Sequence, residues 1–111
     1  MHTINENAHF QMLAECEDGY IGVCKCCWEY NFLFKNVLLT FQEPEMCEFF
    51  DWLIECRKNQ SMVMPLPHGD RHVYRSPLYN MFLVYSEEEL DQIEGMYAEL
   101  KLMVETIKIL Y

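Results

Sequence analysis

Three cysteines lie within four positions of the segment GVCKCCWEYN, at Cys24, Cys26 and Cys27. Cys24 and Cys27 have the Cys-x-x-Cys spacing that zinc sites and thiol redox couples both use. Closely spaced cysteines also occur as small apolar residues in a tight turn. The residue types and their spacing therefore leave three hypotheses open: a metal site, a redox couple, or packing without chemistry.

A redox role for Cys24 and Cys27 would require a lowered thiol pKa, which redox Cys-x-x-Cys motifs obtain from a helix N-terminus. Residues 30–34 instead alternate in the pattern Y-N-F-L-F, and this period of two predicts a strand. Because no helix follows the motif, the sequence argues against a redox couple.

A weak internal repeat relates two stretches of the chain. Residues 30–53 and 74–97 match at an offset of 44 positions, with a Tyr, an Asn, a Leu and two Glu residues identical. Both stretches follow the pattern strand, turn, strand, helix. We infer pseudo-repeat units at about 20–57 and 64–110 within a single domain over 1–111. Residues 1–19 are expected to be an irregular lead-in.

The repeat gives the cysteines candidate metal-ligand partners. At the same offset His68 corresponds to Cys24, and His72 follows at His-x-x-x-His spacing, which is another usable zinc-ligand spacing. The candidate zinc ligands are then Cys24, Cys27, His68 and His72. His9 and Cys16 are alternative ligands if this pairing is wrong. The competing interpretation is that the thiols are reduced and pack in a β-turn.

Other catalytic motifs are missing from the sequence. It has no G-x-S-x-G, no phosphate-binding glycine loop and no H-E-x-x-H, and it has only four glycines. Asp70 and Arg71 could form a polar site with His68 and His72, but a solvated loop is the preferred interpretation. We predict no catalytic residues and no cofactor, with zinc as the alternative.

Charge and hydropathy limit the classes of partner. The chain carries 18 acidic and 8 basic residues, for a formal charge of −10. This excess argues against binding nucleic acid or anionic membranes, both of which require clustered Lys and Arg. No apolar run reaches the roughly 20 residues of a membrane span, and the N-terminus lacks the apolar core of a signal peptide. We therefore expect a cytoplasmic protein with reduced cysteines.

The hydrophobic pattern predicts an α+β fold. Two strand–strand–helix units should form a mostly antiparallel sheet of about 4–5 strands, with both helices packed on one face. Strands are predicted over 20–24, 30–34, 37–41, 72–76 and 80–86, with mostly loop over 61–71. The first helix should begin near Pro44 and fade at 57–60. Ser86 and Glu89 form a capping box that begins a long C-terminal helix.

The C-terminal helix, over about 86–110, has a broad apolar face that packs on the core along most of its length or meets a second copy at its far end. Together with the acidic composition, this favours a non-enzymatic protein-interaction or regulatory module. A structural zinc-binding domain is the alternative. An enzyme that uses the 68–72 loop is a lesser alternative.

The segment DGYIGVCKCCWEYNFLFKNVLLTF resembles a group of small uncharacterised bacterial proteins, mainly from Bacteroidetes, with the pattern G-x-I-x-x-C-x-x-C and then x-L-x-F-x-N. The matching residues are Gly19, Ile21, Cys24, Cys27, Phe34 and Asn36. The later segment LVYSEEELDQI is similar to the start of their second helix. Lys35 stands where the pattern has glycine. The resemblance implies that the Cys-x-x-Cys is a family feature, and it implies no known activity.

Overall fold

The computed structural model describes residues 9–59 and 62–110. In chain order these residues form β1 (Phe10–Cys16), β2 (Gly19–Cys24), β3 (Tyr30–Phe34), β4 (Val37–Phe41), α1 (Glu43–Arg57), β5 (Val63–Leu66), β6 (Gly69–Arg75), β7 (Phe82–Tyr85) and α2 (Glu87–Leu110). The predicted α+β class is confirmed, and the C-terminal helix is long, at 24 residues.

The strands form two antiparallel sheets. One has the order β1-β2-β3-β4 and the other the order β5-β6-β7. The sequence predicts one sheet, whereas β4 and β7 end their sheets and are not hydrogen-bonded to each other. Alternation within a strand reports which face is buried, but it does not report which strand lies at its edge. The division of the sheet therefore depends on tertiary packing.

Strand β1 corrects the prediction of an irregular segment over 1–19. It pairs with β2 along its whole length, but the register shifts between Met12 and Ala14. Because of this bulge, Leu13 and Ala14 are both buried although they are consecutive. The bulge breaks the period of two, so residues 10–16 do not look like a strand in the sequence. Residues 1–8 lie outside the described part of the chain.

The sequence predicts mostly loop over 61–71, and that prediction is wrong for Val63–Leu66, which form β5, and for residues 69–71, where β6 begins. Strand β5 contains Pro65, which has no backbone N–H to donate. Proline is tolerated in edge strands, and β5 is an edge strand of its sheet. The loop prediction relied on proline and glycine as strand breakers, and they do not break an edge strand.

The hydrophobic core joins both helices to the four-stranded sheet. The predicted apolar stripe of α1 is buried at Met46, Phe50 and Leu53. The Phe50 ring lies 4.9 Å from the Phe32 ring of β3 and stacks at 5.0 Å on the Tyr97 ring of α2. Aromatic pairs at these distances contribute on the order of 1 kcal/mol each beyond the area that they bury. Phe50 therefore links one strand and both helices.

The start of α2 is fixed by the predicted capping box. The Ser86 N–H donates to Glu89 Oε1 at 2.8 Å, and the Glu89 N–H donates to Ser86 Oγ at 3.1 Å. The Glu89 carboxylate also pairs with Lys35 in the β3–β4 turn at 2.5 Å. These contacts satisfy orphan N–H groups of the helix and attach its first turn to the four-stranded sheet.

The two strand–strand–helix units do not follow a single offset. Helices α1 and α2 begin at residues 43 and 87, which keeps the offset of 44. In the first strand of each unit, however, Tyr30 pairs with Phe41 and His72 pairs with Tyr85. His72 in the second unit is therefore equivalent to Tyr30 in the first, which is an offset of 42 and not 44. The offset differs because the β6–β7 connection is longer than the β3–β4 turn. A common repeat stays a prediction.

The position of Phe50 predicts a large stability difference between buried and exposed apolar side chains. We expect Phe50→Ala to lower the free energy of unfolding by about 3–5 kcal/mol, because it removes a fully buried ring and leaves a cavity. The control Leu102→Ala removes an exposed side chain of α2 and should change it by less than about 0.5 kcal/mol. Urea denaturation measures both, and equal losses would contradict the assigned core.

Candidate functional site

The cysteine turn, defined here as residues 24–29, connects β2 to β3. The Cys24 N–H donates to the Glu29 carbonyl at 2.9 Å, and the Trp28 N–H donates to the Cys24 carbonyl at 2.6 Å. Trp28 has φ 59°, in the left-handed region that reverses the chain. Cys24 is half-buried, whereas Cys26 and Cys27 are exposed. The turn therefore presents two cysteines to solvent beside a third that is partly sheltered.

Cys24 and Cys27 differ in acidity because of the hydrogen bonds in the cysteine turn. The Cys27 N–H, the Cys27 thiol and the Cys26 N–H hold the pKa of the Cys24 thiol below its ordinary value. A hydrogen bond from the Glu29 N–H lowers the pKa of the Cys27 thiol. The hydrogen bond between Cys27 and Cys24, the partial desolvation of Cys27 and the charge of Cys24 oppose this, and together they raise the pKa of Cys27 above its ordinary value. The turn thus supplies the N–H donors that the sequence-based argument sought in a helix N-terminus.

The alternative metal ligands lie at opposite ends of β1. The Lys25 N–H donates to the His9 carbonyl at 2.7 Å, so His9 is beside the cysteine turn. Phe10, at the start of β1, pairs with Cys24, whereas Cys16 lies six residues further along the strand and pairs with Gly19. Among the alternatives, the fold therefore brings His9 close to the turn and leaves Cys16 away from it.

His72 is held by α2. It is 3% exposed, and its Nε2 lies 2.8 Å from Glu87 Oε1. Its Nδ1 is buried and has no hydrogen-bond partner among the described residues. His68 is exposed in the β5–β6 turn, where its carbonyl accepts a hydrogen bond from Arg71. A metal site that used both histidines would have to bind His72 through its buried Nδ1, or displace Glu87 from its Nε2.

Over residues 9–59 and 62–110, no group of three or more His, Cys, Asp or Glu side chains is arranged to hold a metal ion. The four-ligand zinc site stays a prediction. The prediction paired the two turns by a single offset of 44, whereas the strand registers make His72 the equivalent of Tyr30 in the other unit.

Arg57 joins the end of α1 to the start of α2. Its guanidinium pairs with Glu87 at 2.6 Å, with Asp91 at 2.7 Å, and also with Glu94. Burial opposes the charge of Arg57, but these three carboxylates raise its pKa above the ordinary value. Glu87 therefore lies between two partners, Arg57 and His72. These contacts form an ion network that ties the end of α1, the start of α2 and His72 of β6 together.

An apolar groove of about 620 Å³ lies between β4 and β7. Residues of β4, α1, the end of β6, β7 and the β6–β7 connection line it: Leu39, Thr40, Phe41, Phe49, Trp52, Arg75, Ser76, Pro77, Leu78, Met81 and Leu83. A smaller groove of about 220 Å³ shares Met81 and Leu83 and extends along the same two strands to the β3–β4 turn. We call the two together the β4–β7 groove.

Large apolar side chains around the β4–β7 groove are exposed. Trp52 is 38% exposed and Leu78 is 60% exposed on its walls, and the neighbouring Tyr79 is 87% exposed. Leu38, on the outer face of β4, is 54% exposed. Contiguous exposed apolar groups of this kind mark interaction surfaces more often than single exposed residues do.

Sequence reasoning missed this groove. The apolar loop Pro77-Leu78-Tyr79 between two predicted strands was a usable signal, because loop residues are usually polar. Trp52 lies outside the predicted apolar stripe of α1 and was a second signal. The 68–72 loop does not contribute to the groove, since neither His68 nor His72 lines it.

The molecule is an α+β domain of two antiparallel sheets held by two helices, with a groove between two sheet edges and a separate cysteine turn. Its chain belongs to the family of unknown function DUF6686, whose family model matches residues 6–109. No curated protein and no solved structure matches the chain. Membership of a family without an assigned activity agrees with the resemblance seen in the sequence. Bacterial origin and the extended motif stay predictions.

Neither helix of the described residues has the length and apolar content that crossing a membrane requires.

The Glu87 contacts predict that stability falls in acid. Hydrogen bonds from Arg57 and then from His72 hold the pKa of Glu87 below its ordinary value. A carboxylate with a lowered folded-state pKa stabilises the fold above its unfolded pKa of about 4.3, and this contribution is lost as the pH falls through the folded value. Glu87→Gln should therefore reduce the dependence of unfolding free energy on pH below about pH 5.

Urea denaturation at a series of pH values measures this dependence. Glu88→Gln is the matched control, because Glu88 is adjacent and makes no ion pair within the part of the chain that the structure describes. An unchanged pH profile in Glu87→Gln, or an equal change in Glu88→Gln, would show that the contacts of Glu87 do not stabilise the fold.

Proposed function

We propose that this chain is a non-enzymatic protein-interaction domain, and that it binds an extended apolar segment of a partner protein in the β4–β7 groove. The observation that carries this proposal is the apolar groove of about 620 Å³ between two sheet edges that have no strand beside them among the described residues. We also propose that the protein is cytoplasmic, as the sequence predicts.

The unpaired edge of β4 supports recognition by strand addition. Edge strands present unpaired backbone N–H and C=O groups, and an extended peptide can hydrogen-bond to them. Along β4, Leu38 and Thr40 are exposed, while Val37, Leu39 and Phe41 are half-buried. A segment added to β4 would place alternate side chains on the same apolar face as Leu39 and Phe41, where the groove lies.

The α1 wall of the groove supports a choice of partner chemistry. Trp52 lies between the exposed carboxylates Glu48 and Glu55, which are one helical turn away on either side. Among the described residues, Arg75 is the only cation that lines the larger groove, and its guanidinium lies 5.5 Å from the centre of the Phe82 ring. Lys35 lines the smaller groove, where it pairs with Glu89. The whole chain carries a charge of −10. The partner segment should therefore carry apolar anchors flanked by Lys or Arg.

Peptide binding can be measured directly with the purified protein. The probes are fluorescent peptides with alternating Val and Leu, flanked either by Lys or by Glu. We expect the Lys-flanked peptide to bind more tightly in fluorescence anisotropy and to shift backbone NMR signals of β4 and α1. Methylation of alternate peptide backbone nitrogens should abolish binding, because it removes the donors that strand pairing needs.

Trp52→Ala should weaken this binding by about 30-fold or more, as expected for an interface hot spot of about 2 kcal/mol. Trp28→Ala is the matched control, because Trp28 is also exposed but lies in the cysteine turn. Equal binding of the Lys-flanked and Glu-flanked peptides, no effect of backbone methylation, or equal losses in the two variants would contradict the proposal.

Self-association through α2 is a second candidate for the interaction. Leu102 is exposed toward the far end of the helix, and its neighbours Met103 and Val104 are half-buried. Light scattering after size exclusion at low micromolar concentration tests this candidate. A dimer that Leu102→Lys converts to a monomer would support it, and a monomeric wild-type protein would contradict it.

A further inference from the structure

The outer face of the β5-β6-β7 sheet is apolar and exposed. Along β6 and β7 alternate side chains, such as Tyr74 and Leu83, are buried, so the residues between them face away from the core. We call these outward residues, with the β5 residues on the same face, the arginine face: Met64, Leu66, Arg71, Val73, Arg75, Phe82 and Val84. Its large apolar side chains Met64, Leu66, Phe82 and Val84 are between 36% and 47% exposed.

The charge of the arginine face is opposite to that of the whole chain. The chain has three arginines. Arg57 pairs with three carboxylates, whereas Arg71 donates to two backbone carbonyls and Arg75 lies over the Phe82 ring. Within the part of the chain that the structure describes, neither Arg71 nor Arg75 pairs with a carboxylate, and the arginine face itself contains none. This face therefore complements a surface that combines apolar groups with carboxylates.

Helix α2 presents a surface of that chemistry on the same chain. Gly95, Ala98 and Leu102 are exposed on one side of the helix, because steps of three and four residues return to the same side. Glu99 and Glu105 are also exposed and flank Leu102, three residues before it and three after it. Neither carboxylate forms an ion pair with any of residues 9–59 and 62–110. We call these five residues the α2 stripe.

Packing within one copy does not explain Gly95. A Cβ atom built there would meet nothing within 4 Å, so no neighbour in the fold requires glycine. Glycine in the interior of a helix is destabilising relative to alanine. A glycine and an alanine on one side of a helix allow another surface to approach the helix backbone closely. Contact of the α2 stripe with another molecule would therefore account for this residue.

We propose that the protein self-associates by packing the α2 stripe of one copy on the arginine face of a second copy. The proposal rests on the second candidate of the proposed function, self-association through α2, and names the surface that the helix meets. It is independent of peptide binding in the β4–β7 groove. Two copies that exchange helices in this way form two identical contacts and a closed dimer.

The spacing of the charges on the two surfaces agrees with this contact. Arg71 and Arg75 are four residues apart on β6, or about 13 Å, with Val73 between them. Glu99 and Glu105 are six residues apart on α2, or about 9 Å along the helix axis, with Leu102 between them. When Leu102 packs on Val73, the long arginine side chains can reach the carboxylates on either side.

The experiment uses the full chain and two charge-reversed proteins. The face variant carries Arg71→Glu and Arg75→Glu, and the stripe variant carries Glu99→Arg and Glu105→Arg. We expect the wild-type protein to dimerise in sedimentation equilibrium, and each variant to dimerise at least about tenfold more weakly, because both contacts then oppose like charges. An equal mixture of the two variants should recover dimers, because each contact between them again pairs opposite charges.

Two control variants change the net charge by the same amounts at exposed positions outside both surfaces: Glu15→Arg with Glu17→Arg, and Lys25→Glu with Lys58→Glu. Both should dimerise as the wild-type protein does. Dimers that the face and stripe variants weaken no more than the controls, or a mixture that recovers no dimers, would overturn this arrangement and leave self-association through another part of α2 standing. A monomeric wild-type protein would overturn both.

A measurement without any variant covers the case in which a variant fails to fold. The methyl NMR signals of Val73, Val84 and Leu102 in the wild-type protein should shift together as its concentration is raised through the dimerisation range. Dimers that form without shifts at both the valines and Leu102 would overturn the proposed contact.

Discussion

Helix α1 holds the molecule together because both sheets bury apolar groups against it. Its Phe50 ring contacts Phe32 of the four-stranded sheet and stacks on Tyr97 of α2. From the other sheet, the buried Tyr74 hydroxyl donates to the Leu53 carbonyl of α1 at 3.0 Å. A buried hydroxyl needs such a partner, since an unsatisfied one costs about 1–3 kcal/mol. The second sheet is therefore attached to the first through the helix, and also directly through the rings of Phe34 and Tyr85, whose centroids lie 5.8 Å apart.

This arrangement explains why a groove lies between the sheets. If β4 and β7 were paired, the molecule would have one continuous sheet and no open edge at its centre. Instead α1 lies beside β4, and its Phe49 and Trp52 form one wall of the β4–β7 groove. The β6–β7 connection, with Pro77 and Leu78, forms part of the opposite wall. Within the part of the chain that the structure describes, the packing that stabilises the core thus leaves β4 and β7 at the edges of their sheets with no strand paired beside them.

The cysteine turn depends on a different kind of contact. Outside the strand ladders its hydrogen bonds join Cys24 to Trp28 and Glu29, and Lys25 to His9 just before β1. The groove and the turn are built from different elements, β4, β7 and α1 for one and the β2–β3 connection for the other.

The sequence by itself determined the local elements. The apolar spacing of α1, the alternation of β3 and β4, and the capping box of Ser86 and Glu89 were all predictable, because backbone geometry fixes their periods. Tertiary structure alone decided which edges pair. The bulge in β1, the edge position of β5, the pairing of His72 with Glu87 and the separation of β4 from β7 each depend on contacts between distant residues. A period within one segment carries no information about such contacts, so the candidate zinc pairing remained a prediction and the groove was found only in the fold.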